Sequence, residues 1–205
     1  MIEPAPGSEP TGTVCHGVFL VIDDIGVHIA GEPAIGKSEL ALDLVSRGHR
    51  LVADDAPYYE AHDGSLHGRC LAPELGGFLE IRGLGVINVG ALYGSDRLCT
   101  TYPLQLVIRL IQRASFDPQD RLGNLEPSPR VFRRLGIDVP EIRLPMGCGR
   151  TQAPLVEAAA GNQRLKSLGY DPGADFRDRQ RALARRQSPV TTAAIPRSPE
   201  SSADD

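Results

Sequence analysis

The chain has 205 residues, 41% of them apolar, and a formal net charge of −4. That length carries one domain with a genuine buried core and is marginal for two. The mild negative charge gives no general attraction to nucleic acid or to an anionic membrane, and no apolar run reaches the roughly 18 residues of a spanning helix. Met1 to Gly12 is polar, carries Pro4, Pro6 and Pro10, and lacks the basic and apolar regions of a secretory signal, so a soluble cytoplasmic protein is expected. The four cysteines, Cys15, Cys70, Cys99 and Cys148, lie far apart without a C-x-x-C pair, which argues for free thiols used as small buried hydrophobes and against zinc.

In chain order, residues 1–12 read as a loose leader. Val18 to Ile22 is a continuous apolar run of strand type, Asp23-Asp24-Ile25-Gly26 supplies turn residues, and Val27 to Ala30 returns as a second strand, so a hairpin is expected. Ser38 to Arg47 reads as a helix with Leu40/Leu44 and Ala41/Val45 on one face and Gly48 placed to end it. His49 to Ala53 is the next strand, closed by Asp54-Asp55. Phe78 to Arg82 alternates, with Leu79 and Ile81 on one side and Glu80 and Arg82 on the other. Leu84 to Val89 follows as an apolar strand. Leu104, Leu106, Ile108 and Leu110 alternate with Gln105 and Arg109 in a half-buried strand, and Pro154 to Leu168 reads as a helix ended by Gly169. Arg177 to Arg186 holds five arginines, which suits a solvated helix face, and residues 187–205, rich in proline and serine, read as a disordered tail. Strands outnumber helices and several neighbours are hairpin-linked. The expected fold is α/β, a mixed sheet with flanking helices, over residues 13–176, with a basic extension at 177–186.

The strongest chemical signal is Gly31-Glu32-Pro33-Ala34-Ile35-Gly36-Lys37-Ser38, a complete G-x-x-x-x-G-K-[ST] phosphate loop between a strand and a helix. That context is what the chemistry needs: a helix start presents unpaired N–H groups and a positive dipole end to phosphate oxygens. Lys37 would reach the β- and γ-phosphates, and the Ser38 hydroxyl would hold Mg²⁺. Pro33 removes one backbone donor from the loop.

A kinase also needs a group to take the proton from the attacking hydroxyl. Asp54-Asp55 ends the strand after the loop helix, where ligands of α/β sheets lie. Successive side chains of a strand point to opposite faces, so one of the two acids is expected to face the phosphates. Its role is open between base, Mg-positioning acid and solvated turn acid. Glu80 and Arg82 could complete a metal shell and steady phosphate oxygens, or form a cross-strand ion pair. His16 is a site candidate or a structural histidine.

The order of these pieces resembles one family. His16-Gly17-Val18, the phosphate loop, Arg47-Gly48-His49-Arg50-Leu51-Val52-Ala53-Asp54-Asp55 and Leu79-Glu80-Ile81-Arg82-Gly83-Leu84-Gly85 look like the catalytic domain of HPr kinase/phosphorylase. Asp120-Arg121-Leu122-Gly123, Gly149-Arg150 and the stretch Asn162, Arg164, Lys166, Gly169-Tyr170 resemble later motifs, so the likeness covers roughly residues 14–176. The resemblance implies a phosphoenolpyruvate-carboxykinase-like P-loop kinase core that uses ATP and Mg²⁺ to phosphorylate a regulatory serine of HPr. It also implies the reverse reaction, in which inorganic phosphate attacks the phosphoserine and yields pyrophosphate, itself a possible alternative donor. By position, Asp55 matches the catalytic aspartate, Lys37 and His16 active-site positions, Arg121 a catalytic arginine, and Ser38 and Glu80 the metal contacts. Leu79 to Asn88 matches a segment needed in both directions, and Pro145 to Arg150 one needed for the reverse. A hexamer is implied, and full-length members carry a further N-terminal domain. The sequence departs from the family at Glu32-Pro33-Ala34 in the loop and at Ala56-Pro57 after the acids. Two further readings stand beside this one: a P-loop kinase with another acceptor, and a nucleotide-sensing module without transfer activity, against which Asp55 argues.

Overall fold

The computed structural model describes residues 12–112, 115, 130–147 and 152–187. The chain divides after Asp171 into two compact units.

The first unit is built on a six-stranded mixed sheet. Its strands are β2 (Val18–Ile22), β3 (Ile25–Gly31), β4 (Arg50–Ala53), β10 (Leu106–Gln112), β11 (Arg130–Arg134) and β12 (Ile137–Met146), in the order β11-β12-β10-β3-β2-β4. The pairs β12/β10 and β10/β3 are parallel and the others antiparallel. A second, antiparallel sheet has the order β1-β5-β6-β9, from β1 (Gly12–Val14), β5 (Pro57–His62), β6 (Ser65–Cys70) and β9 (Thr101–Pro103). A hairpin of β7 (Phe78–Ile81) and β8 (Gly85–Asn88) stands apart from both. The described α-helices of the unit are α1 (Lys37–Ser46), α2 (Val89–Tyr93) and α3 (Ala153–Ser167).

The side-chain period of the strands explains the layers. In β2 and β3, Val18, Leu20, Ile22, Ile25, Val27 and Ile29 share one core with Leu40, Leu44 and Val45 of α1 and Val156 and Ala160 of α3. The intervening Phe19, Val21 and Ala30 join a second core with Tyr59 and Leu66 of the smaller sheet. The six-stranded sheet is thus covered on both faces, which is why β2 is buried at every position and reads as an unbroken apolar run. The β2–β3 hairpin turns on Asp23 and Asp24 at φ 47 and 63, the left-handed values a two-residue hairpin turn demands.

Several expectations change in the folded chain. Strand β10 begins at Leu106 and is covered on both faces rather than half-buried, because Val107 enters the second core and Arg109 is neutralised by a two-pronged bond to Glu141 (3.0 and 2.8 Å). The strand expected over Leu84 to Val89 shortens to β8, where Val86 is 68% exposed; Val89 instead opens α2 and is buried. Gly12, assigned to the leader, already pairs with Glu60 in β1. Residues 1–11 and 188–205 lie outside the described residues, as does Cys148. Cys15, Cys70 and Cys99 are free thiols.

Helix α3 is tied to the end of α1 by charge. Arg47 donates from Nε and Nη2 to the two oxygens of Glu157, each at 2.7 Å, and His49 Nε2 lies 3.0 Å from Glu157 Oε1. The Arg47 bonds, aided by His49, hold the Glu157 carboxyl down at about 2. A carboxyl with a lowered folded-state pKa adds stability that is present above its ordinary value and lost as pH falls through the folded one. In the second unit, α4 (Pro172–Gln187) contains the basic segment, with Arg179 paired to Asp175 and Arg181 to Asp178 along the helix. No described helix is long and apolar enough to cross a membrane.

Glu157→Gln is expected to lower the midpoint of urea unfolding at neutral pH. The gap between parent and variant should close as pH falls from 4.5 towards about 2. A gap that persists unchanged in acid would show that the pair does not supply this stability.

Candidate active site

Strand β3 delivers the phosphate loop at Gly31, whose backbone sits at φ 154. A Cβ there would lie 2.9 Å from the carbonyl oxygen of Leu110 and 3.0 Å from Ile35 Cγ2, so only glycine fits between β3 and β10. The loop closes at Gly36, which caps α1 at φ 101. Between them, Ala34 takes the left-handed value of φ 64, unusual for a residue with a side chain. Lys37, 8% exposed, folds its ammonium back over the loop and donates to the carbonyls of Gly31 (3.1 Å) and Glu32 (3.0 Å). An ammonium has three donors, so these two bonds leave one for a ligand oxygen.

Not every loop side chain faces the ligand space. Glu32 accepts from Gln112 Nε2 at 3.1 Å, and Ile35 packs against the first core. Pro33, Ala34, Gly36, Lys37 and Ser38 line a cavity of about 540 Å³, together with His16, Asp54, Asp55, Glu80 and Arg82. That volume is in the range of small-molecule pockets, and the α1 N-terminus opens directly onto it.

The two acids depart from the strand alternation expected of them. Both line the cavity. The reason is that Asp55 leaves the extended conformation for φ 64, which ends the period of two after β4. Asp54 is the anchored member. Its Oδ1 accepts the Ser38 hydroxyl at 3.3 Å and its Oδ2 accepts the Glu80 backbone N–H at 3.1 Å. Burial pushes its carboxyl above the ordinary value, against the opposing pull of the bonds from Glu80, Asp55 and Ser38. Asp55 is the open member: its side chain is 79% exposed and its Oδ1 lies 3.1 Å from His16 Nδ1.

His16 is held in place by backbone pairing. Gly17 N–H donates to the Asp55 carbonyl (3.0 Å), and Cys15 N–H to that of Pro57 (3.0 Å). Glu80 lies on the outward face of the β7–β8 hairpin, whose inward residues Leu79 and Ile81 are buried in the first core. The end of β12 also reaches the loop, with Met146 Cε 3.4 Å from where a Gly36 Cβ would stand. Arg121 and Gly149-Arg150 lie outside the described residues.

The site therefore brings His16, Lys37, Ser38, Asp55 and Glu80 to one cavity and adds Asp54, whose link to Ser38 the sequence signalled only through its adjacency to Asp55. Ser38, Asp54 and Glu80 offer hard oxygen donors, the ligand type that suits a small divalent cation. Among the described residues no three His, Cys, Asp or Glu side chains form a ready metal cage.

A mixed sheet that delivers a phosphate loop to a helix N-terminus, facing paired acids, defines a P-loop kinase fold. The chain belongs to the family described as the HPr Serine kinase C-terminal domain, whose model matches residues 10–180. It is 42% identical over 176 residues to an HPr kinase/phosphorylase of Chromobacterium violaceum, covering 85% of this chain and 55% of that protein. It is 44% identical over 168 residues to one of Streptococcus thermophilus, covering 82% and 53%. The chain thus spans about half the length of the curated relatives it matches. Among solved structures, that of the Hpr(Ser) kinase/phosphatase from Coxiella burnetii superposes with a TM-score of 0.72 at 39% identity, over 80% of this chain and 98% of that one.

Gly31→Ala is expected to destabilise the protein by about 1–3 kcal/mol, since the new methyl must displace backbone of β10. Gly161→Ala, in the interior of α3 where a Cβ meets nothing within 4 Å, should stabilise by about 0.5–1 kcal/mol. Denaturant unfolding of both variants checks the pair.

Proposed function

We propose that this chain phosphorylates a serine of the carrier protein HPr from ATP with Mg²⁺, and runs the reverse phosphorolysis that releases pyrophosphate. The observation that carries the reading is that Lys37 of the phosphate loop and Asp55 line one cavity. A nucleotide sensor needs the first of these but has no use for the second. The names of the relatives supply the acceptor, HPr, and their shared second activity supplies the reverse direction.

In the forward reaction the serine Oγ attacks the γ-phosphorus, and the bond from that phosphorus to the β–γ bridging oxygen breaks. Asp55 takes the hydroxyl proton, a role that requires it within about 3 Å of the acceptor. In reverse an oxygen of inorganic phosphate attacks the phosphoserine phosphorus. The serine oxygen leaves with the proton that Asp55 returns, and pyrophosphate forms.

Asp55 suits this part because it is exposed to an incoming protein side chain and held on the cavity side by its own backbone. His16 orients it through the 3.1 Å contact. Lys37 and the α1 N-terminus grip and neutralise the phosphate oxygens, and Arg82 adds charge at the cavity wall. Mg²⁺ fits the oxygen donors Ser38, Asp54 and Glu80, and when bound it neutralises charge building on the phosphates. Asp54 holds the Ser38 hydroxyl in position for that purpose. Arg121 is assigned a catalytic role by the family resemblance, and a homo-oligomer, a hexamer in the family, belongs to the same proposal.

Asp55→Asn is expected to keep ATP affinity within a few-fold in calorimetry and to lose transfer to HPr by at least about 100-fold in both directions. Equal rates in variant and parent would remove the base assignment. Lys37→Ala should weaken ATP binding by about 10-fold or more. Undiminished affinity would contradict the phosphate-loop reading, and ATP binding by the parent without any transfer would favour a sensor.

A further inference from the structure

Beneath His16 lies a buried polar pair that the chemistry above leaves unused. His28 on β3 is 1% exposed and Tyr59 on β5 is fully buried, within the otherwise apolar second core. Buried polar groups are costly unless bonded. The Tyr59 hydroxyl meets His28 Nδ1 at 2.9 Å. The opposite edge of the ring lies against the backbone of the His16–Gly17 segment: a Cβ on Gly17 would stand 2.7 Å from His28 Cε1 and 2.8 Å from Nε2. The edge that carries Nε2 therefore faces the His16–Gly17 peptide.

These partners limit the proton positions. Burial pushes His28 down to about 3 and holds the Tyr59 hydroxyl well above its usual range, so both groups are neutral near pH 7. A neutral imidazole has one donor and one acceptor nitrogen, and a backbone carbonyl only accepts. A proton on Nε2 would face the His16–Gly17 peptide and leave Nδ1 to accept the Tyr59 O–H, giving a directed relay from β5 through β3 to the residue beside Asp55.

We propose that His28, held by Tyr59, is a positioning residue for phosphoryl transfer: its ring anchors the His16 carbonyl and so fixes the His16 imidazole against Asp55. This rests on Asp55 as the acceptor base. The need for such an anchor follows from exposure. The His16 and Asp55 side chains are 55% and 79% exposed, so packing does little to place them. Their placement comes from the backbone below, where Gly17 bonds Asp55 and has φ 149 with no room for a side chain. An aliphatic residue at position 28 would fill the space without holding the carbonyl.

The first test is spectroscopic and independent of activity. Long-range ¹H–¹⁵N spectra of the full chain should show His28 as the Nε2–H tautomer, unchanged from about pH 5 to about pH 8. A ring protonated on Nδ1, or one that titrates in this range, overturns the proposal.

The second test follows transfer from ATP to HPr. His28→Leu should lower kcat by about 10- to 100-fold with the KM for ATP unchanged, and His28→Gln, whose amide can donate to the same carbonyl, should recover most of it. In a His16→Ala background, His28→Leu should cost nothing further, whereas additive losses would mark a merely structural role and overturn the proposal. Tyr59→Phe removes one hydroxyl, should give a smaller loss in the same direction, and decides the question if His28→Leu fails to fold; a rate equal to the parent's counts against the relay. Asp55→Asn measured alongside separates the two failures. An inactive Asp55→Asn with a fully active His28→Leu sinks the anchor alone. A fully active Asp55→Asn sinks the base assignment, and the tautomer spectrum then decides whether the anchor exists.

Discussion

Two consecutive acids at the end of a strand would ordinarily point to opposite sides of the sheet. Asp55 instead adopts φ 64, a conformation that costs an L-residue roughly 1–2 kcal/mol and that aspartate tolerates better than most. Two backbone bonds hold it there, from Gly17 N–H to the Asp55 carbonyl and from Ala56 N–H to that of Asp54. Because of that one angle, Asp54 and Asp55 share a cavity and divide its work. Asp54 is half-buried and bonded to Ser38 and Glu80, whereas Asp55 stays open to whatever enters.

The rest of the fold serves this corner. The two-faced sheet lets β3 run rigidly through the core and release the loop at Gly31, with α1 packed against one face and the smaller sheet against the other. The smaller sheet contributes more than cover, since β5 follows directly from the acids and carries the buried Tyr59 hydroxyl. The β7–β8 hairpin buries Leu79 and Ile81 and thereby turns Glu80 towards the cavity, where its backbone N–H secures Asp54. Glu80 is thus placed by the buried side chains on either side of it.

Much of this was legible in the residues. The phosphate loop combines a spacing motif with a strand before it and a helix after it, and the structure keeps that arrangement. The β2–β3 hairpin, α1, α3 and the alternation of β7 were equally readable, because each has a clean period and a turn or glycine at its end. The second sheet was not. Its β5 strand mixes Tyr58, Tyr59 and Glu60 with polar residues, and only Tyr59 and Pro57 are buried, so no apolar run announces it. The long β12 carries Pro140 and Pro145, residues that argue against a strand interior, yet it pairs with β10 on one side and β11 on the other. The conformation of Asp55 was hidden for a different reason: a backbone angle set by pairing with a distant segment leaves no local pattern.

The account is tested most directly by a crystal structure of the chain with Mg²⁺ and a non-hydrolysable ATP analogue. It predicts the triphosphate wrapped by the loop, the Lys37 ammonium on its terminal oxygens, and the Asp55 carboxylate within about 3 Å of the in-line position that an attacking hydroxyl must occupy. A terminal phosphate directed away from Asp55, with His16 and Asp55 parted, would contradict it.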